Sequence, residues 1–89
     1  MNLSKEKIEK ISEQILAFLY SRSPLPLFTY HIAREIARDE EFVKRILNDL
    51  RSKGLIIEIK KNPEGVNYLK RSRWQLSDAT YVSYKKHQH

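Results

Sequence analysis

Apolar residues recur at three- and four-residue spacing from Ser4 to about Tyr20, which predicts an amphipathic α-helix. Its apolar face comprises Ile8, Ile11, Ile15 and Leu19, and it widens toward the C-terminal end through Leu16, Phe18 and Tyr20. That widening predicts that a further helix, or a second copy of the chain, packs there. Pro24 and Pro26 end the helix, because they deny the backbone donors and restrict the preceding residues.

Two shorter helices are predicted next, after a brief extended segment at residues 27–28. Thr29 is the expected N-cap of a helix from Tyr30 to about Ala37. Asp39 is the expected N-cap of a helix that ends near Lys53, with Gly54 as its left-handed stop. Two helices joined by so tight a turn cross steeply and share one core, as in a helix-turn-helix.

The hydrophobic period changes to two after the third helix. Between Leu55 and Lys61, isoleucines 57 and 59 alternate with polar residues, which is typical of a β-strand. A turn cluster follows at residues 62–65, and a second strand is expected from Arg71 to Leu76, with Arg73 and Gln75 on the face opposite Trp74 and Leu76. Ser77 then caps a last helix that carries Tyr81, Val82 and Tyr84.

Composition narrows the classes of protein. The 89 residues suit one small core, and the chain has no cysteine for disulfides or cysteine-based zinc fingers. No stretch approaches the ~20 apolar residues that span a bilayer, and no secretory signal is evident, so a cytoplasmic location without a membrane partner is expected. The net charge of +6 and pI near 9.7 favour a polyanionic partner such as nucleic acid.

The order of elements resembles the winged helix-turn-helix superfamily, which includes small prokaryotic and archaeal transcription regulators. The resemblance covers almost the whole chain and is most specific in Ile32-Ala33-Arg34-Glu35-Ile36-Ala37, in the Val43, Leu47, Leu50 spacing and in Gly54-Leu55-Ile56. The stretch Arg71-Ser72-Arg73-Trp74-Gln75-Leu76-Ser77 is similar to the returning wing strand of that superfamily.

The resemblance implies a mainly α fold with a small β-hairpin, in the order α1-β1-α2-α3-β2-wing-β3-α4. A single domain of residues 1–89 would contain the helix-turn-helix at about 29–53, the wing at about 55–76 and a C-terminal helix at about 77–86. The implied partner is double-stranded DNA, with the third helix in a major groove and the wing on the backbone. The candidate groove contacts are Lys44, Arg45 and Asn48, and the candidate wing contacts are Lys60, Lys61, Tyr68, Lys70, Arg71 and Arg73.

Two local features depart from the usual pattern. The turn between the two helices has Ala37 and Arg38 where a glycine is common, which predicts an irregular or longer turn. Glu40 and Glu41 begin the third helix, where they suit the helix dipole but oppose phosphate. Residues 39–54 carry no net charge, whereas residues 55–76 carry five basic and two acidic residues, a net +3. The wing is therefore expected to supply most of the affinity.

Other functions have weaker support. No catalytic, cofactor or metal motif is evident. His31 is expected at a surface or phosphate-adjacent position, and His87 and His89 in a disordered C-terminal tail, rather than as metal ligands. A protein-interaction adaptor is the main alternative, since the third helix has an acidic start and no net charge; a membrane-surface or RNA-binding module has only the net charge in its favour. A homodimer through the first and last helices is expected over the alternative, in which the last helix folds back onto its own chain.

Overall fold

The computed structural model describes residues 4–60 and 71–87. Within those ranges the helices are α1 (Lys5–Arg22), α2 (Thr29–Ile36), α3 (Glu40–Ser52) and α4 (Asp78–Lys86), and the strands are β1 (Leu27–Phe28), β2 (Ile56–Ile59) and β3 (Arg73–Leu76). The predicted order of elements and the predicted fold class are both confirmed.

Three of the four predicted helix caps are confirmed. The side chains of Ser4, Asp39 and Ser77 accept hydrogen bonds from backbone N–H groups three residues ahead. The prediction for Thr29 is wrong, because α2 begins at Thr29 itself and Phe28 occupies the cap position without a side-chain bond. The Thr29 hydroxyl instead accepts a hydrogen bond of 2.9 Å from the indole N–H of Trp74. A buried indole N–H needs a partner, so a distant residue outcompetes the local cap.

The turn between α2 and α3 is tight and ordinary in length. Ala37 itself adopts the left-handed conformation, with φ of 56°, and ends α2. The expectation of an irregular or longer turn is therefore wrong, because the alanine takes the strained conformation that a glycine would adopt freely. At the end of α3, Gly54 adopts φ of 77°, which confirms it as the left-handed stop.

The three strands form an antiparallel sheet in the order β1-β3-β2. Ile56 pairs with Leu76 and Glu58 with Trp74, so these four side chains share the face that packs on the helices. The strand predicted from the alternation is confirmed. Ile56 is buried, whereas Ile57, on the opposite face, is 42% exposed. Ile57 points to the face of the sheet opposite the core, and that face is open to solvent at this position.

One hydrophobic core joins the sheet and the first three helices. Trp74 on the central strand is fully buried. Residues from α1 (Ile11, Ile15, Leu16, Leu19), α2 (Ile32, Ala33), α3 (Val43, Ile46, Leu47, Leu50) and the strands (Leu27, Ile56, Leu76) surround it. This packing fixes α3 by its inner side and leaves the opposite side of the helix exposed.

The last helix contacts α1 of its own chain through aromatic rings. The ring centroid of Tyr20 lies 5.5 Å from the centroids of Tyr81 and Tyr84. Burial raises the pKa of Tyr84, and the charge of Glu13 raises it further. Tyr81 and Val82 nevertheless remain exposed. None of the helices in the described ranges is both long and apolar enough to cross a membrane.

Candidate nucleic-acid interface

The outward side of α3 carries Lys44, Arg45 and Asn48, all three of them exposed. They share this side because the apolar residues of α3 take the opposite one, at helical spacing. The predicted groove contacts therefore form one polar surface on a helix that is held firmly by the core.

Lys44 also lines a small cleft between α3 and the β-hairpin, by which we mean β2, β3 and the residues next to them such as Arg71 and Ser72. The cleft has a volume of about 90 Å³, and its walls are formed by Phe28, Thr29, Tyr30, Glu40, Lys44, Arg71 and Ser72. The guanidinium carbon of Arg71 lies 5.3 Å from the centroid of the Tyr30 ring, a cation–π contact that orients the side chain. Cations from two separate elements, Lys44 and Arg71, thus meet at one concave site.

Glu40 is the acidic member of this cleft. It stands in the first turn of α3 beside Glu41, where a carboxylate interacts favourably with the helix dipole. One carboxylate against the two cations leaves the lining of the cleft with a net positive charge. The site can therefore accept an anion, although Glu40 lowers the attraction.

The charges at the C-terminal end of α3 are neutralised within the chain. Arg51 Nη1 lies 2.8 Å from Glu58 Oε1 on β2, and Lys53 Nζ lies 3.0 Å from Asp49 Oδ2. In contrast, no ion pair within 4.0 Å involves Lys44, Arg45 or Arg71 across residues 4–60 and 71–87. Although residues 39–54 carry no net charge, Lys44 and Arg45 on the outward side of α3 have no ion pair within the described ranges.

The other predicted wing residues are placed differently. Lys60 is exposed, with Nζ 3.9 Å from Glu58 Oε1. Arg73 is half-buried and pairs with Phe28 and Ile59 in the sheet, on the face opposite Trp74, as predicted; it does not line the cleft. Lys61, Tyr68 and Lys70 lie outside the described residues.

His31, expected at a surface or phosphate-adjacent position, is half-buried beside Tyr30. Its ring centroid lies 4.2 Å from that of Tyr30, and its Nδ1 is buried with no hydrogen-bond partner among the described residues. Those residues also contain no group of three or more His, Cys, Asp or Glu side chains that could hold a metal ion. His31 thus packs with Phe28 and Tyr30, two of the residues that line the cleft.

Sequence reasoning missed Tyr30, Glu58 and Ser72. Tyr30 was expected only to begin a helix, yet it supports Arg71. Glu58 was expected only to alternate with the isoleucines of β2, whereas its carboxylate accepts from both Arg51 and Ser72. Ile56 lies two residues before Glu58, so an apolar residue at that position was the available sequence signal that the two share a face.

The sequence matches no protein-family model and no curated protein. Solved structures do match the fold. MepR of Staphylococcus aureus, in its complex with DNA, gives a TM-score of 0.73 at 19% identity, over 91% of this chain and 64% of that chain. ZitR of Lactococcus lactis gives 0.70 at 20% identity, over 92% of this chain and 57% of that chain. A candidate DNA-binding protein from Ralstonia eutropha gives 0.67 at 16% identity, over 86% of this chain and 93% of that chain.

The chain spans less than two thirds of the length of the MepR and ZitR chains that it matches. At these identities the similarity concerns the fold alone. The fold of this chain is therefore that of a winged helix-turn-helix domain.

Proposed function

We propose that this protein binds double-stranded DNA and regulates transcription. The observation that carries the proposal is the cleft in which Lys44 of α3 and Arg71 of the hairpin converge without an ion pair to any other described residue. Matching structures include a regulator, MepR, in complex with DNA, which supports the same partner for this fold.

In the proposed complex, α3 enters the major groove and the hairpin lies along the backbone. Lys44 and Arg45 donate to guanine edges or phosphates, and Asn48 pairs with adenine. The proposed contacts to the sugar–phosphate backbone come from Lys60, Lys61, Tyr68, Lys70, Arg71 and Arg73. Each neutralised phosphate makes the logarithm of the affinity fall by about 0.9 per log unit of salt.

Fluorescence anisotropy with a labelled random duplex, titrated at several salt concentrations, tests the proposal. We expect a steep negative salt slope for the wild type. Lys44→Ala/Arg71→Ala should bind about tenfold or more weakly at 0.1 M salt. The matched control Lys85→Ala/Lys86→Ala removes the same charge from α4 and should stay close to wild type. Equal losses in both variants, or no binding by the wild type at low salt, would contradict the proposal.

A protein-interaction adaptor is the second candidate, favoured by Glu40 in the cleft and Glu41 beside it. An adaptor would contact a protein partner through the same side of α3 and would not need phosphate. It predicts no binding to duplex DNA in low salt, so the titration above distinguishes the two functions.

We also propose that residues 1–89 act as one domain, which lies in the cytoplasm and catalyses no reaction. We further propose that two copies form a homodimer. Tyr81 and Val82 on α4 remain 37% and 49% exposed even after Tyr20 packs on Tyr81, which leaves apolar surface for a second copy. Sedimentation should show a dimer at high protein concentration. A monomer there would remove the dimer from the proposal and leave DNA binding untouched.

A further inference from the structure

One carboxylate connects α3 to both arms of the hairpin. Glu58 lies on the inner face of β2, opposite Trp74, and its side chain is one-tenth exposed. Its Oε1 accepts a hydrogen bond of 2.8 Å from Arg51 in the last turn of α3, and its Oε2 accepts from the hydroxyl of Ser72 just before β3. Lys60, just after β2, approaches Oε1 to 3.9 Å.

These contacts converge on a carboxylate that is less exposed than its cationic partners, 10% against 47% for the side chain of Arg51. The carboxylate is largely shielded from water, and hydrogen bonds to a charged acceptor are roughly twice as strong as those between neutral groups. Because its partners lie in α3, directly after β2 and directly before β3, Glu58 restrains the two strands relative to the helix. Arg71, next to Ser72, shares in that restraint.

The negative charge of Glu58 should by itself weaken the proposed binding of DNA. A carboxylate beside a phosphate-binding surface repels DNA, and its removal would raise the net charge of the chain from +6 to +7. On charge alone, a variant without this carboxylate would bind a duplex more tightly than the wild type does.

We propose that Glu58 is a positioning residue, which holds the hairpin beside α3 so that Arg71 and Lys44 face one duplex. This inference rests on the proposed function for its consequence in binding, but the restraint itself is a property of the free protein. Without the carboxylate, the hairpin occupies the binding-competent position for a smaller fraction of the time, and the apparent affinity falls by that fraction.

The experiment compares Glu58→Gln with Glu9→Gln, which removes the same charge from an exposed position on α1. We expect Glu58→Gln to bind random duplex roughly threefold or more weakly than wild type, despite its higher charge. Glu9→Gln should bind equally or slightly more tightly. Native-state hydrogen exchange on the free proteins should be faster at Ile59 and Arg73 in Glu58→Gln only.

A charge swap, Arg51→Glu/Glu58→Arg, keeps the net charge at +6 and can rebuild the ion pair between α3 and β2. It should restore a substantial part of both the affinity and the exchange protection that Glu58→Gln loses. Recovery in the swap would assign both losses to the ion pair between Arg51 and Glu58, because the swap does not restore the carboxylate that accepts from Ser72.

Equal or tighter binding by Glu58→Gln, with unchanged exchange at Ile59 and Arg73, would overturn the positioning role. If the wild type binds no duplex at low salt, the proposed function fails, but hydrogen exchange still decides whether Glu58 restrains the hairpin. Faster exchange in Glu58→Gln, reversed by the swap, would then support the restraint alone.

Discussion

The third helix and the hairpin differ in how they use charge. Residues 39–54 carry no net charge, and the cations near the end of α3 are bound by Glu58 and Asp49. Residues 55–76 carry +3, half of the net charge of the whole chain. Only Lys44 and Arg45 remain unpaired among the basic residues of α3 in the described ranges.

This difference indicates a division of roles on one surface. A helix with few unpaired cations gains little from phosphate, so its contribution to the proposed complex is contact with base edges. A basic hairpin gains affinity from counterion release whatever the DNA sequence. The following predictions test that division, starting with the largest effect.

The largest expected effect comes from the hairpin. Lys70→Ala/Arg71→Ala/Arg73→Ala should flatten the salt slope by up to about 2.7 and weaken binding by roughly two orders of magnitude at 0.1 M salt. Of the single variants, Arg71→Ala should cost more than Arg73→Ala, because Arg71 lines the cleft and Arg73 does not. Anisotropy titrations measure both quantities, and an unchanged slope in the triple variant would refute the role of the hairpin.

Asn48→Ala tests whether α3 contacts the edges of the bases. Selection of bound fragments from random-sequence DNA first supplies a preferred site. We expect the variant to lose about 1–3 kcal/mol of discrimination at one base pair of that site, because a bidentate contact to adenine disappears. Its salt slope should match that of the wild type. An equal loss of affinity for all DNA sequences would indicate that Asn48 contacts the sugar–phosphate backbone instead.

The acidic start of α3 should oppose binding moderately. Glu40→Gln/Glu41→Gln is expected to bind random duplex up to about tenfold more tightly, since it removes repulsion beside Lys44. The variant should also lose about 0.3–1 kcal/mol of stability per residue, because each carboxylate favours the helix N-terminus. Affinity that stays at the wild-type value would mean that this end of the helix does not face DNA.

The smallest effect is expected in the turn, on stability alone. Ala37→Gly should raise the free energy of unfolding by up to about 1 kcal/mol, because glycine relieves the left-handed strain at φ of 56°. Urea unfolding followed by the fluorescence of Trp74 measures the change. The salt slope should not move, and a shift in it would mean that the turn geometry controls how α3 meets DNA.

Local chemistry explains most of what the sequence predicted correctly. The caps at Ser4, Asp39 and Ser77 depend on residues three positions away, and the stop at Gly54 depends on its own backbone. Thr29 was mispredicted because Trp74, distant in sequence, binds its hydroxyl. Tertiary contacts of this kind override local preference and leave no periodic signal.

The site was harder to predict than the fold for the same reason. Periodicity placed Lys44 and Asn48 on the outward side of α3, since the apolar residues define the inward side. It could not show that Arg71 stacks on Tyr30, or that Glu58 binds Arg51, because those contacts depend on how the hairpin packs. Ile57 also stands on the solvent-facing side of β2, so an apolar residue in the alternating pattern does not by itself identify the buried face.

Two double variants with equal charge test the division most directly. Lys61→Ala/Arg71→Ala alters the wing and Lys44→Ala/Arg45→Ala alters α3, and each lowers the net charge from +6 to +4. On random duplex, the wing pair should flatten the salt slope by about 1.8, and the helix pair by less than half as much. Equal flattening, or greater flattening by the helix pair, would contradict the account.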